Sequence, residues 1–441
     1  MKPSRFNIVI DTKDKDIFFI YNTLSGSILK IDSETLAALD RITDTKDFRQ
    51  RFPNLVEQGF VFEDSIDEDV MFSVRMGESR YGDGKSEFMV AVTSACNLAC
   101  PYCFKSSREV KDLEGKSLEK VVSFIKNMCI LHRNDHVELH LFGGEPFVRP
   151  KITFSLIDEI KAWAGPRDMK FTFIIYTNGT FADQEIVDSL ARSRQNIRYI
   201  HFTLDGPRNV HDSRRFYKGG QPSYDRIILA LKVFKANDLY SVVRINVDRK
   251  NISDIPCLLS ELQSQGLSDV PIGFSFIRNM THACGGYKDA VDDSDPNRWL
   301  PSLWKAASDM GFRFVMKPDA SYLYCSAFKN SSFIIDVDCS VYKCAGLQGI
   351  REHSVGTIND KGYLDSMGYR YYEFMDRDPL RISPCKDCQV LPVCGCGCAA
   401  YSYTKFGSYH HPNCFDRNIV LTKERMKIYL MKKLGEKSGL V

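Results

Sequence analysis

Cys96, Cys100 and Cys103 stand in the run Ala95-Cys96-Asn97-Leu98-Ala99-Cys100-Pro101-Tyr102-Cys103-Phe104. Three thiolates this close together offer a compact set of soft ligands. A four-iron cluster held by three cysteines leaves one iron open to a small molecule, whereas a cluster that only carries electrons is normally closed by a fourth cysteine. The competing reading is zinc, which cysteine trios also serve. A second field begins at Cys325 and continues through Cys339, Cys344, Cys385, Cys388, Cys394, Cys396, Cys398 and Cys414. Thiols this dense need an inorganic explanation, because a zinc site is satisfied by four ligands. Cys129 and Cys257 fall in helical stretches and read as buried small hydrophobes, and Cys284, beside Gly285 and Gly286, reads as a loop thiol without an assigned use.

The chain has 441 residues, enough for two or three domains, and 44% of them are apolar. Lysine plus arginine numbers 59 against 56 acidic residues, so the formal charge of +3 argues against a nucleic-acid groove or an anionic membrane as partner. The start, Met1-Lys2-Pro3-Ser4-Arg5, leads into a strand-like run, and no stretch approaches the roughly 18 apolar residues of a membrane span. A cytoplasmic location is expected. That compartment keeps thiols reduced, which again makes metal ligation the better account of 15 cysteines.

Three blocks can position these residues. Up to about Gly84, the alternating runs Phe6–Ile10, Ile17–Tyr21 and Ile28–Ile31 predict a small sheet, with a helix capped by Ser33 and a shorter helix ending near Gly59. From Ser86 to about Ile277 strands alternate with helices. The predicted strands are Phe88–Val92, Val137–Phe142, Phe171–Tyr176, Tyr199–Leu204, Val242–Val247 and Pro271–Ile277. Between them, Leu118-Val121-Val122-Ile125-Met128 and Ile227-Leu229-Leu231-Val233-Phe234 have helical spacing. Such repetition specifies parallel strands with right-handed crossovers, and ligands collect at the carboxyl ends of those strands. The cysteine loop follows the first strand, Gly143-Gly144-Glu145-Pro146 closes the second, and Thr177-Asn178-Gly179 ends the third. Thr203-Leu204-Asp205-Gly206-Pro207 ends the fourth, with His211-Asp212-Ser213-Arg214-Arg215 after it. His211 reads as a structural residue, and the final run Ile419 to Leu434 as an amphipathic helix covering packed surface.

The cysteine trio with its neighbouring aromatic, followed by Gly143 to Pro146, resembles the signature of the radical S-adenosylmethionine (SAM) enzymes. Cys325-x18-Cys344, then Cys385-x2-Cys388-x5-Cys394-x3-Cys398, then Cys414, resembles the seven-cysteine SPASM extension of that family's peptide and sulfatase maturases. The resemblance implies a partial (β/α)6 TIM-like barrel at 86–300. An N-terminal winged-helix-like α+β peptide-recognition element would occupy 1–85, and a C-terminal cysteine-rich iron-sulfur domain 301–441. It implies SAM and three [4Fe-4S] clusters as cofactors. Cys96, Cys100 and Cys103 would hold the radical-generating cluster. Cys325, Cys344 and Cys398 would hold auxiliary cluster I, with Cys339 or Cys396 as its fourth ligand or an open iron in its place. Cys385, Cys388, Cys394 and Cys414 would hold auxiliary cluster II. Tyr102, Gly143, Gly144, Glu145, Asn178, Thr203, Arg215 and Asn246 would form the SAM pocket, with Arg215 clamping the carboxylate and Arg214 its near rival. The sequence identifies no general base.

In that family an electron from the cluster splits the SAM sulfonium to a 5'-deoxyadenosyl radical, which removes a hydrogen atom from the substrate. Peptide maturation is therefore expected: an oxidised thioether or carbon-carbon cross-link in a ribosomally made precursor peptide carrying a leader. Flavodoxin or ferredoxin would donate electrons. A sulfatase maturase forming formylglycine is the nearest alternative, but that relative has aspartate after the second cysteine of the extension, where this chain has Ala345, and it lacks a comparable N-terminal segment. A non-catalytic zinc protein that binds peptides is the alternative from another class.

Overall fold

Six parallel strands carry the middle of the chain in the computed structural model, which describes residues 1–82, 84–103, 109–279, 286–314 and 317–434. Three antiparallel strands come first, β1 (Asn7–Asp11), β2 (Ile17–Asn22) and β3 (Ile28–Asp32), in that order across a sheet. The parallel set is β4 (Lys85–Thr93), β5 (His136–Gly143), β6 (Lys170–Tyr176), β7 (Ile197–Leu204), β8 (Ser241–Val247) and β9 (Ile272–Phe276), each hydrogen-bonded to the next. All six predicted strands are present, five of them starting one to three residues earlier than their apolar runs.

Alternation along these strands separates two environments. On β5, Val137, Leu139 and Leu141 join a core with Phe124, Ile125, Leu156 and Ile160 from the covering helices Lys116–His132 and Pro150–Ala164. The intervening His136, Glu138 and His140 face the barrel interior, whose lower end is charged. Glu138, 1% exposed, takes ion pairs from Lys85 at 3.2 Å and Arg198 at 2.8 Å and a hydrogen bond with His140 at 2.9 Å. Burial alone would raise its pKa, but the His140 hydrogen bond and the Lys85 and Arg198 charges outweigh burial and hold it far below the carboxylate range. Removing that anion leaves Arg198 without a carboxylate among the described residues and Lys85 with Glu87 alone, at 2.6 Å. Glu138→Gln is therefore expected to destabilise the protein by about 3–5 kcal/mol at neutral pH in denaturant unfolding. Because the folded pKa is depressed, the contribution is present above the ordinary carboxyl pKa and fades as pH falls through the depressed value. The gap between wild type and variant should shrink on acidification.

The sheet does not stop at six strands. β10 (Ser332–Ile335) lies parallel to β4 on its free side, and β11 (Ser340–Tyr342) and β12 (Gly356–Thr357) continue it antiparallel, giving nine strands in the order β9-β8-β7-β6-β5-β4-β10-β11-β12. The cysteine-rich region thus contributes strands to the barrel's own sheet, which the alternating pattern did not reveal. The long helix Glu68–Tyr81 also escaped notice, because its exposed Val70, Met71 and Val74 blur its amphipathic spacing. Its Arg80 donates to the carbonyls of Met375 (2.6 Å) and Arg377 (2.7 Å).

Three local expectations need correction. Asp32, rather than Ser33, caps the first helix by accepting from the amide of Thr35 at 2.8 Å. Leu229 points outward from helix Tyr224–Ala236, 49% exposed, while Ile228 and Leu231 take the buried face. Cys257 is exposed, whereas Cys129 is buried as expected. Cys284 lies outside the described residues. The helix Ile419–Leu434 forms where predicted and buries Leu421, Met426 and Leu430. Among the described residues no helix is long and apolar enough to cross a membrane.

Candidate active site

The loop carrying Cys96, Cys100 and Cys103 leaves β4 and is tied down along its length. Ala99 donates to Phe216 O at 2.9 Å, and Asn97 O accepts from the amide of Lys218 at 2.9 Å. Gly143 and Gly144 at the end of β5 hold its beginning. Gly144 donates to Thr93 O and Glu145 to Ala95 O, both at 2.8 Å, and an added Cβ at either glycine would fall 2.1 Å from those same carbonyl oxygens. The glycines are thus required by the close approach of two loops, a reason additional to ligand access.

Glu145 is fully buried. Its carboxylate accepts from Phe147 N at 3.0 Å, Thr177 Oγ1 at 2.9 Å and Asn178 N at 2.5 Å, so it joins the ends of β5 and β6. Burial raises its pKa to about 7 against those hydrogen bonds. Asn178 then reaches the cysteine loop, donating to Asn97 Oδ1 at 2.7 Å and lying 3.7 Å from Cys96 Sγ. The three thiols interact with one another electrostatically, and burial pushes Cys100 up to about 11.

Beside them, the ends of β7 and β8 bring together Tyr102, Arg215 and Asn246. Arg215 Nη1 donates to the Tyr102 hydroxyl at 2.9 Å, Asn246 Nδ2 lies 3.4 Å from it, and the hydroxyl itself donates to Asp205. Arg214 is set apart from its neighbour. It is held between the buried carboxylates of Asp205 (Nε, 3.2 Å) and Asp248 (Nη1, 2.7 Å). Arg215 has no carboxylate partner among the described residues, and its buried Nε meets no acceptor. Thr203 faces the barrel interior in register with Arg244 of β8. His211 is completely buried, accepting from the amide of Asp205 at 3.3 Å and pairing with Ser223 Oγ at 3.1 Å. That is a structural role.

The second cysteine field forms two groups. Cys325, Cys344 and Cys398 act on one another electrostatically, and so do Cys385, Cys388, Cys394 and Cys414 together with Cys396. Cys396 Sγ is 2.9 Å from Cys385 Sγ. Cys339 is elsewhere: its thiol donates to Ser117 O at 3.7 Å beneath helix Lys116–His132, so the structure does not bring it to Cys325, Cys344 and Cys398. Gly395, Cys396 and Gly397 all adopt positive φ, and a Cβ on Gly395 would meet Tyr324 N at 2.3 Å, one on Gly397 Asn413 O at 1.9 Å. Tyr324 and Asn413 each precede a cysteine. Glycine on both sides of Cys396 therefore lets the loop close on Cys325 and Cys414.

Residues 90–257 match the family model described as "Radical SAM superfamily", a span that begins within β4 and includes the cysteine loop, Gly143 to Glu145, Asn178 and Arg215. The chain carries a radical SAM domain. Over 90% of its length the chain is 22% identical to the radical SAM cyclopropyl synthase TigE of Paramaledivibacter caminithermalis, covering 89% of that protein. It is 22% identical over 73% of its length to the cysteine-type anaerobic sulfatase-maturating enzyme of Clostridium novyi, covering 90% of that protein. Streptococcus suis SuiB bound to precursor peptide SuiA has the same fold, with a TM-score of 0.56 and 15% identity over 95% of this chain and 99% of SuiB.

Within this radical SAM fold the donor set fits the cofactors the family uses. Three thiols of one loop face an arginine whose buried Nε lacks an acceptor, a ready place for a carboxylate. The cysteine-rich C-terminus fits a SPASM extension. Sequence reasoning missed the buried pairing of Arg214 with Asp205 and Asp248, and Tyr287, which donates to Asp248 at 2.6 Å. The doublet Arg214-Arg215, in the segment after β7, carried the only signal, since two adjacent arginines do not share one set of partners.

Proposed function

We propose that this radical SAM enzyme matures a ribosomally made precursor peptide, forming an oxidised thioether or carbon-carbon cross-link. In this reading Cys96, Cys100 and Cys103 hold the radical-generating [4Fe-4S] cluster, and Tyr102, Gly143, Gly144, Glu145, Asn178, Thr203, Arg215 and Asn246 surround SAM. Bound together, cluster and SAM supply a primary carbon radical able to remove hydrogen from an unactivated carbon. Arg215 clamps the SAM carboxylate through the guanidinium edge that lacks a partner. Glu145 keeps the cysteine loop and Asn178 in register, and Tyr102 closes the pocket toward Asp205.

Cys385, Cys388, Cys394 and Cys414 hold one auxiliary cluster, and Cys325, Cys344 and Cys398 the other. With Cys339 buried under a helix and Cys396 beside Cys385, the described residues give that second cluster three thiols. The segments 1–85, 86–300 and 301–441 serve recognition, radical chemistry and electron acceptance respectively. A flavodoxin or ferredoxin in the cytoplasm supplies the first electron.

The N-terminal segment carries the choice of substrate. A sulfatase-maturating relative uses 90% of its own length and leaves about a quarter of this chain unmatched, whereas TigE and SuiB extend over 90% and 95% of it. In that segment β3 has a free edge, flanked by a groove of Leu29, Ile31, Phe52 and Leu55 with Lys30 and Arg51 at its rim. An extended leader would add there as a fourth strand. Ala345, in place of an aspartate, also weighs against formylglycine formation.

The test is anaerobic co-purification with the precursor peptide encoded beside the gene. The wild-type enzyme should contain iron and labile sulfide, retain the peptide, and with SAM and reductant remove two hydrogens per cross-link by mass spectrometry. Leu29→Glu should weaken retention at least tenfold while leaving 5'-deoxyadenosine release without peptide intact. Zinc without sulfide would sink the enzyme reading, and a neighbouring sulfatase as substrate would replace the peptide.

A further inference from the structure

Between β9 and helix Ile419–Leu434, on the open side of the barrel, lies a cavity of about 440 Å³. Four arginines line it, Arg244, Arg278, Arg417 and Arg425, against a single carboxylate, Asp416. That carboxylate is already engaged, accepting from Tyr324 Oη at 3.1 Å, and Arg417 Nη1 donates to Tyr324 O at 2.9 Å.

Two of the arginines meet no acceptor among the described residues. Arg278 lies over the rings of Phe415 at 3.9 Å and Tyr401 at 4.5 Å, and its buried Nη1 meets no oxygen among the described residues. Arg244 projects from β8 inside the barrel and makes no hydrogen bond or ion pair with a described residue, although its surface opens into the cavity. Its side chain is exposed within the open barrel, and the protein surrounding it pulls its pKa below the usual arginine value, with only partial relief from Tyr102, Tyr176 and Asp205. Asp205 is taken by Arg214. Arginine does not shed its proton at physiological pH, so the buried Nη1 of Arg278, which meets no acceptor among the described residues, and the Arg244 guanidinium exposed to the same cavity together offer a place for an anion from outside the chain. Its planar fork suits a carboxylate.

The position of Arg244 ties this anion to the chemistry. It is in register with Thr203 and two residues before Asn246, which contacts Tyr102. A ligand of Arg244 therefore sits one layer of side chains below the proposed SAM pocket. Arg417 neighbours the thiols Cys325 and Cys394 and serves to balance their charge, a role for which Arg244 is not placed.

Resting on the peptide-maturase reading, we infer that this cavity takes a carboxylate of the substrate peptide, borne close to the residue that loses hydrogen. An aspartyl or glutamyl side chain and a free C-terminus present the same anion, and the cavity recognises either through Arg244 and Arg278. Peptides lacking a carboxylate there leave both guanidinium groups unpaired and are rejected.

The test uses the full-length, anaerobically reconstituted enzyme and a split-pool library of random linear peptides, synthesised with free and with amidated C-termini. The wild type should retain peptides enriched in aspartate and glutamate, or only those with a free terminus. The two arms distinguish the sources. Arg244→Gln and Arg278→Gln should each lower affinity for the retained acidic peptides at least tenfold with little change for neutral ones, and Arg244→Lys should keep part of the preference. Iron content identifies any variant that misfolds. Charge-blind retention by the wild type, retention of no peptide, or an acidic preference unchanged in both glutamine variants would overturn the carboxylate site. So would an effect of Arg244→Gln confined to the auxiliary-cluster electron paramagnetic resonance signals. Release of 5'-deoxyadenosine by the wild type without peptide is measured in parallel. Its absence would overturn the radical reading itself, whereas charge-blind binding with SAM cleavage intact overturns only the carboxylate site.

Discussion

Cys100→Ala should release no detectable 5'-deoxyadenosine from SAM under a strong reductant, while the protein keeps its fold. Cys100 is the middle thiol of the trio, in electrostatic contact with both Cys96 and Cys103 and with Arg215 beyond them. Two thiols cannot hold a four-iron cluster in a fixed orientation, and the described residues offer no nearby replacement. Cys129, the next thiol along, is buried in the core under β4. Iron and sulfide should fall by about a third if three equal clusters are present in the wild type. The loop itself should persist, because it is fastened by backbone hydrogen bonds to Phe216 and Lys218 and by Gly143 and Gly144 rather than by its thiols. Circular dichroism and the thermal midpoint of the metal-free protein should therefore match wild type. Full SAM cleavage by this variant would mean that the trio is not the radical-generating site.

The second large effect is expected at Arg377, which touches none of the reacting groups. It is 1% exposed and donates to Cys396 O at 2.7 Å, to His411 O at 3.0 Å and to Tyr409 O. One guanidinium thus gathers carbonyls from the two loops that must close around the cysteine field. Arg377→Ala takes the donor from Tyr409 O and one of two donors from Cys396 O and His411 O, which keep the Asn413 amide (3.2 Å) and Ser402 Oγ (2.9 Å). With the buried packing it also loses, it should destabilise the cysteine-rich region by about 3 kcal/mol. Auxiliary iron should be lost on reconstitution, with the radical-site iron retained. Arg377→Lys keeps the charge but not the fork, so it should recover little. Unchanged iron and an unchanged thermal midpoint in Arg377→Ala would show that the loops close without it.

Much of the molecule was legible because periodicity and spacing are local. The six parallel strands show as apolar runs, and the strand ends show as motifs, so the cysteine loop, Gly143 to Glu145, Asn178, Arg215 and Asn246 could be placed on one face before any coordinates. What stayed hidden depends on partners distant in sequence. β10 is a four-residue strand whose identity comes from β4, some 240 residues earlier. The choice between Arg214 and Arg215 is decided by Asp205 and Asp248, which pair with one and leave the other. Cys339 reads from the sequence as either a ligand or a bystander, and only the hairpin between β10 and β11 carries it away from the other thiols. Arg244 gave no sign, because one arginine in a strand reads as solvent-facing until the sheet curves around it.

Helix Ile419–Leu434 has a further meaning for how the chain is made. Met426 and Leu430 complete a core with Ile8, Ile10, Phe19 and Tyr21, and Leu421 does so with Leu300 and Trp304. One face of this sheet therefore stays uncovered on the ribosome until residues some 400 positions later have emerged. Contacts so distant in sequence close slowly. During that interval the cysteine loops are also unprotected, so iron insertion and docking of the N-terminal sheet become late, coupled events. Chaperone demand should then be set by the time between the first sheet and the last helix, and synonymous changes that slow translation of the barrel should lower the yield of metal-loaded protein.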